Sequence, residues 1–222
     1  MNPCFGFPMH RRPLETGSEP AYSVFSVREA ISADLPAMAD LLSDSFHSRE
    51  GLMGWTFPFL RMGIYEDLRH RLRERRSSYV CFVALAAMDA SPDNQPLVAG
   101  TVEMSLRPSF SFMGLPSPLS QGSGGPGLAE FGSQYPYVSN LAVSPVYRRQ
   151  GVAKLLLAAC ERVAVQWGYS SVYLHVLENN HHARRLYFKV GYRLVGIDAG
   201  GFCWLLGQPR RFLLRKSINV NA

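Results

Sequence analysis

The chain has 222 residues, 47% of them hydrophobic, which is enough for one domain with a full core and excludes wholesale disorder. Its net charge is +6, with 20 arginines among 23 basic residues, a balance that fits nucleic acid, an acidic cofactor or an acidic protein partner. No apolar run approaches the roughly 20 residues that span a bilayer, and Met1 to Pro20 holds no apolar segment followed by a small-residue cleavage site. No membrane partner and no secretion are expected.

Residues 1–21 read as a flexible Pro/Gly/Arg tail. Tyr22 to Arg28 alternates apolar and polar residues as a first strand. Ser32 offers an N-cap, with Pro36 in the first turn, for a helix that buries Leu35, Met38, Leu42 and Phe46. Gly51 to Leu60 is an apolar, aromatic linker, and Ile64, Leu68 and Leu72 carry a second helix. Arginines at 69, 71, 73, 75 and 76 spread around that helix without interleaved aromatics. They read as a solvated surface, and no nucleic-acid partner is expected.

Tyr79 to Ala87 is nearly all apolar, a strand buried on both faces, and Leu97 to Leu106 returns as its hairpin partner. Residues 107–136 are rich in Pro, Gly and Ser, a loop insertion expected to be disordered in its middle. Cysteines at 4, 81, 160 and 203 form no Cys-x-x-Cys pair. Cys81 and Cys160, inside apolar runs, read as buried thiols of a reducing compartment. His181-His182 has no nearby Cys and reads as a helix start, so no metal is expected.

Tyr137 to Val143 is an apolar strand, followed by a turn at Ser144-Pro145 and by Arg148-Arg149-Gln150-Gly151 opening a helix. Val152, Leu155, Leu156, Ala159 and Val163 recur at helical spacing along it. A helix start leaves backbone N–H groups free beside the positive end of its dipole, and Gly151 has no Cβ to obstruct a ligand. This is phosphate-binding chemistry. Gly168 supplies a C-cap, and Ser171 to Leu177 is another strand. Asn180 opens a helix with Ala183, Leu186, Tyr187 and Val190 on one face, closed by Gly191. Tyr192 to Ile197 and Arg211 to Ile218 are the last two strands, so one domain spans 22–218, with 219–222 as a short tail.

Arg148 to Ala153 resembles the Arg/Gln-x-x-Gly-x-Gly/Ala signature of GCN5-related N-acetyltransferases. Asn180, Ala183, Leu186-Tyr187 and Gly191-Tyr192 resemble the family's second signature, and the two together cover roughly 55 residues. The resemblance implies an α/β (α+β mixed) GNAT fold, a mainly antiparallel sheet of about seven strands flanked by about four helices, with a splayed central strand pair. It also implies acetyl-CoA as cosubstrate. Its pyrophosphate would sit on Arg148, Arg149, Gln150, Gly151, Val152 and Ala153, and its amides on Leu141, Ala142 and Val143. Asn180 would face the pantetheine region, and Tyr187 would serve as general acid.

The amine acceptor must lose a proton before attack. His175, with an ordinary pKa of roughly 6.5, suits that task, although a lone strand histidine is more often a core residue. Tyr137-Val-Ser-Asn-Leu and Tyr173-Leu-His175-Val resemble the segments of NatE-type N-terminal acetyltransferases that carry a Tyr and a His for this step. The pair is within reach only if Tyr137 and His175 share a face. Glu103 is a rival base, although a solvent-facing strand glutamate is the plainer reading.

Ser43-Asp-Ser-Phe-His, Gly51-Leu-Met-Gly-Trp, Gly63-Ile-Tyr-Glu-Asp-Leu-Arg and the terminal Pro209-Arg-Arg-Phe-Leu-Leu-Arg-Lys resemble cyanobacterial members of the family and their plastid relatives, of which the plastid enzymes acetylate both protein N-termini and lysines. A bacterial, cytoplasmic protein is expected, with the plastid stroma as the alternative. Residues 51–60 and 199–209 would wall the acceptor groove. They are aromatic and apolar, with Glu50 and Asp198 the only nearby acids, which suits a peptide better than a polycation. A small-molecule amine acetyltransferase and a non-catalytic acyl-CoA sensor are the other readings. Monomer and homodimer both stay open.

Overall fold

The computed structural model describes residues 25–46, 57–74, 77–86, 97–108, 134–198 and 209–218. The readings for the two tails, the apolar linker up to residue 56, the middle of the 107–136 insertion and the 199–208 turn lie outside these residues. Seven strands, β1 (Phe25–Glu29), β2 (Tyr79–Ala86), β3 (Leu97–Pro108), β4 (Gln134–Val143), β5 (Ser171–Leu177), β6 (Arg193–Asp198) and β7 (Arg211–Ser217), form one sheet. Its order is β1-β2-β3-β4-β5-β7-β6, and every pairing is antiparallel except β4 with β5. Four α-helices complete the described structure: α1 (Leu35–Phe46), α2 (Phe57–Glu74), α3 (Val152–Gln166) and α4 (His181–Lys189).

The helices cover the sheet in two pairs, and alternation along the strands decides which residue meets which pair. Cys81, Val83 and Leu85 of β2 pack with Leu35, Met38, Leu42 and Leu68 of α1 and α2. Val80, Phe82 and Ala84, one residue out of phase, pack with Val152, Leu156 and Cys160 of α3. β2 is therefore buried on both faces, as its unbroken apolar run predicts.

Several sequence expectations change, among them the linker read over 51–60, whose last four residues already belong to α2. α1 begins at Leu35 rather than after Ser32, because Ser32–Asp34 is a 3-10 turn. The Asp34 carboxylate caps that turn by accepting from the Ile31 N–H at Oδ2 (2.8 Å), while Arg28 donates to both of its oxygens (2.7 and 2.8 Å). On α3, Leu155 is 37% exposed, while Leu157, Cys160 and Ala164 are buried. The stripe facing the sheet runs through 152, 156, 160 and 164, and Leu155 lies about 120° round the helix from its centre.

Candidate active site

β4 carries the feature that shapes the site. Along the β3–β4 ladder Thr101 faces Ala142, but Glu103 faces Ser139, so β4 spends one residue more than β3. That is a β-bulge, and Asn140 takes a left-handed backbone there (φ 53°). An inserted residue reverses the alternation of side chains. Before it, Tyr137 points toward the α1–α2 side of the sheet and Val138 toward α3; beyond it, Ala142 packs with α1 and α2, and Leu141 and Val143 pack with the α3 cluster. The bulge also marks where β4 leaves β5. The two strands pair only at Tyr137–Tyr173 and Val138–Leu174, so beyond the bulge their facing edges diverge.

Tyr137 and His175 share a face and meet across the last paired rung, with Tyr137 Oη 2.9 Å from His175 Nδ1. The condition set by strand alternation is met because Tyr137 stands opposite Tyr173, and His175 lies two residues further along the same face. Tyr135, Tyr173 and Leu213 pack around Tyr137, with the Tyr135 and Tyr173 rings edge to face at 5.3 Å. The Arg107 guanidinium lies 3.6 Å above the Tyr137 ring, a cation held against an aromatic face at the end of β3. Nothing in the sequence pointed to Arg107.

Tyr187 projects from α4 into the core on the other side of the sheet, 8% exposed, its ring edge-to-face with Tyr192 at 5.7 Å. Burial, and after it the charge of nearby Tyr137, push its phenol up to about 12. Its proton therefore stays in place at neutral pH. Asn180 sits at the N-cap of α4, where its Oδ1 accepts from the Ala183 N–H at 3.0 Å.

The turn between β4 and α3 is tightly wound around the helix start. Arg149 (φ 66°) and Gly151 (φ 92°) both adopt left-handed conformations, and Gly151 is the N-cap of α3. Arg148 Nε donates to the Val143 carbonyl (3.2 Å) and Gln150 Nε2 to the Val146 carbonyl (3.0 Å), so both side chains brace the turn from within. In the first turn of α3 the N–H groups of Lys154 and Leu155 donate to the Gly151 carbonyl (2.9 and 3.2 Å), so the helix-start donors without an intrahelical acceptor are those of Val152 and Ala153. No atom lies within 4 Å of where a Cβ on Gly151 would stand, so the space above the turn is open.

Glu103 departs from expectation. It is 1% exposed rather than solvent-facing, because α2 closes over this part of β3. Its carboxylate accepts from Arg71 Nη1 of α2 at 2.8 Å and from Asn140 Nδ2 of the bulge at 2.7 Å. Arg71, read from the sequence as part of a solvated arginine surface, spans from Asp67 to this buried carboxylate. Burial alone would lower the Arg71 pKa, but the charges of Glu103 and Asp67 outweigh it and hold it above its ordinary value. Beyond Arg71, a groove of about 450 Å³ lined by Glu29, Ile31, Ser32, Arg73 and Tyr79 runs along β1 and α2, away from the β4–β5 seam.

Residues 35–192 match the family model described as the acetyltransferase (GNAT) family. The chain belongs to that family. GCN5-related N-acetyltransferase 10, chloroplastic, of Arabidopsis thaliana is 28% identical over 176 residues, covering 78% of this GNAT chain and 64% of its own length. GCN5-related N-acetyltransferase 5, chloroplastic, from the same plant is 30% identical over 210 residues, 92% of this chain and 60% of the relative. The chain thus spans less than two thirds of the length of these relatives. Among solved structures, Arabidopsis thaliana NAA60 in complex with acetyl-CoA superposes with a TM-score of 0.59 at 21% identity, covering 88% of this chain and 99% of that one. The NatC complex bound to Gag peptide and CoA gives 0.58 at 14% identity, covering 88% and 99%. At such identities the likeness shows the GNAT fold: a splayed seven-stranded sheet with helices on both faces.

Proposed function

We propose that this GNAT protein is an acetyl-CoA-dependent N-acetyltransferase whose acceptor is a protein amine, an N-terminal α-amine, a lysine ε-amine or both. The observation that carries the reading is the 2.9 Å contact between Tyr137 and His175 at the point where β4 and β5 separate. A proton-accepting pair at the mouth of a splayed seam serves a reaction in which an ammonium group must be deprotonated in place.

The chain's residues suit acetyl-CoA. The cradle of Arg148 to Ala153 offers helix N–H groups and an open space over Gly151 for a pyrophosphate. Leu141, Ala142 and Val143 lie where β4 has left β5, so their backbone groups on that edge are available to a ligand's amides. Bound acetyl-CoA supplies the acetyl group as an activated thioester. Tyr137 Oη and His175 Nδ1 accept the proton of the incoming amine, directly or through water, and Tyr187 Oη holds a proton for the departing sulfur. Asn180, fixed by its capping bond, follows the C-terminal end of β5, beyond the point where that strand last pairs with β4.

The NatC complex, a neighbour in fold whose structure holds a Gag peptide together with CoA, favours a protein acceptor over a small amine. Both described cysteines, Cys81 and Cys160, are free and buried, in keeping with a reducing compartment such as a bacterial cytoplasm or a plastid stroma. Chloroplastic relatives favour considering the stroma alongside the cytoplasm. The test is to incubate the purified chain with acetyl-CoA and a peptide library carrying free N-termini and internal lysines, and to map products by mass spectrometry. Acetylated peptides are the expected result; modification of small amines alone would replace the protein acceptor with a metabolite.

A further inference from the structure

The bulge at Asn140 is held from a distance. A residue with φ 53° is strained unless it is glycine or has a side chain that repays the conformation locally, as asparagine can. Here the Asn140 amide does not bond its own backbone. It crosses to β3 and donates to Glu103 Oε1 at 2.7 Å, while Glu103 Oε2 takes Arg71 of α2 at 2.8 Å. The carboxylate is 1% exposed and each oxygen has a directed donor, so its position is fixed by two elements at once.

We propose that Glu103 is a positioning residue: with Arg71 it clamps Asn140 so that the bulge holds the edge of Leu141 to Val143 in a fixed register for the ligand. The inference rests on the acetyl-CoA reading given above. It also excludes Glu103 from the role of general base. The carboxylate is already paired with a guanidinium and an amide, and it lies on β3 beneath α2, while the proton-accepting pair of Tyr137 and His175 sits on β4 and β5. The clamp further ties α2 to the cofactor strand. α2 follows the linker expected to wall the acceptor groove, so one carboxylate connects the acceptor side of the site to the thioester side.

Three variants separate positioning from proton transfer. Glu103→Gln keeps an acceptor for Asn140 but loses the charge toward Arg71. Glu103→Ala removes both bonds. Asn140→Gly keeps the left-handed backbone, which glycine adopts freely, and removes only the amide. In steady-state kinetics of the full chain, Glu103→Ala and Asn140→Gly should each lower kcat about 100-fold, the scale of a misplaced reacting group, and raise KM for acetyl-CoA as the edge that receives its amides loosens. Their combination should cost no more than either alone. Glu103→Gln should recover most of the rate and leave the acid limb of the pH–rate profile unmoved.

Hydrogen exchange gives a readout that needs no turnover. The amides of residues 139–143 should exchange faster in Asn140→Gly and Glu103→Ala, while those of α3 stay as protected as in the wild type. Loss of the acid limb in Glu103→Gln would make Glu103 a base and overturn the proposal, as would wild-type exchange at 139–143 in Asn140→Gly. If wild-type chain acetylates nothing, the acetyltransferase reading fails, and the exchange experiment still decides whether the clamp exists.

Discussion

Tyr137 Oη stands 2.9 Å from His175 Nδ1, two side chains from parallel strands that pair at only two positions. A hydrogen-bonded pair that handles one proton should behave as a unit. Tyr137→Phe and His175→Ala are each expected to lower kcat about 100-fold, the lower range for lost acid–base catalysis. The double variant should lose little more than the worse single one. Additive losses in a double-mutant cycle would mean that the two residues act separately.

Gly151 separates backbone conformation from ligand contact. Its φ of 92° disfavours any side chain, yet an added Cβ would touch nothing in the protein. Gly151→Ala should therefore cost only about 1–2 kcal/mol of stability, the penalty for a left-handed alanine. Affinity for acetyl-CoA should fall much further, because the methyl group occupies the space assigned to the pyrophosphate. Paired thermal melts and calorimetric titrations check both halves. Equal losses in the two would remove the cradle from cofactor binding.

Gly100 presents the opposite case. A Cβ there would come within 2.9 Å of the Ala142 carbonyl oxygen and about as close to Val152 and Leu156 of α3. The nearest obstacle is backbone, so β4 itself must move. Gly100→Ala is expected to destabilise the fold by about 1–3 kcal/mol, the usual range for overpacking, and to raise KM for acetyl-CoA as the strand shifts. A variant that melts like the wild type would show that the β3–β4–α3 junction has slack.

Alkaline pH should undo this fold through its buried phenols. Burial holds Tyr187 at about 12 and Tyr192 well above its ordinary value, whereas unfolded tyrosine ionises near 10. Below pH 10 both states keep the proton and stability is unaffected. Between roughly 10 and 12 only the unfolded chain releases it, so stability falls as pH rises, by up to about 3 kcal/mol for Tyr187. Denaturant midpoints measured from pH 8 to 11 should decline beyond 10, and Tyr187→Phe should flatten the decline. A midpoint that stays level to pH 11 in the wild type would contradict the burial of these hydroxyls.

Element order was legible in the chain because most elements carry strong local signals. β2 is one apolar run, α3 and α4 repeat at helical spacing, and Asn180 caps α4 as its side chain allows. Tyr137 and His175 could be named from their segments, yet their contact depended on register, which follows from the parallel pairing of Tyr137 with Tyr173. Glu103 was misread because alternation within β3 says which residues share a face and not which helix covers it. Arg71 was missed for a related reason: its own helix surroundings are polar, and its partner lies 32 positions away. Asn140 marks the bulge only once its partner on β3 is known. Contacts between distant elements, rather than the elements, are where local pattern stops being informative.

The parted strands have a consequence for solubility. Where β4 and β5 separate, each exposes a row of peptide groups, so the sheet has two internal edges in addition to β1 and β6. Unpaired edges are templates for foreign strands, and proteins normally cover or charge them. Under the function proposed above, the extended ligand would be that cover, its amides standing in for missing rungs. On the proposed reading the cofactor would guard against aggregation as well as serve as a reagent, and protein prepared with acetyl-CoA should remain monodisperse at concentrations where the stripped protein associates.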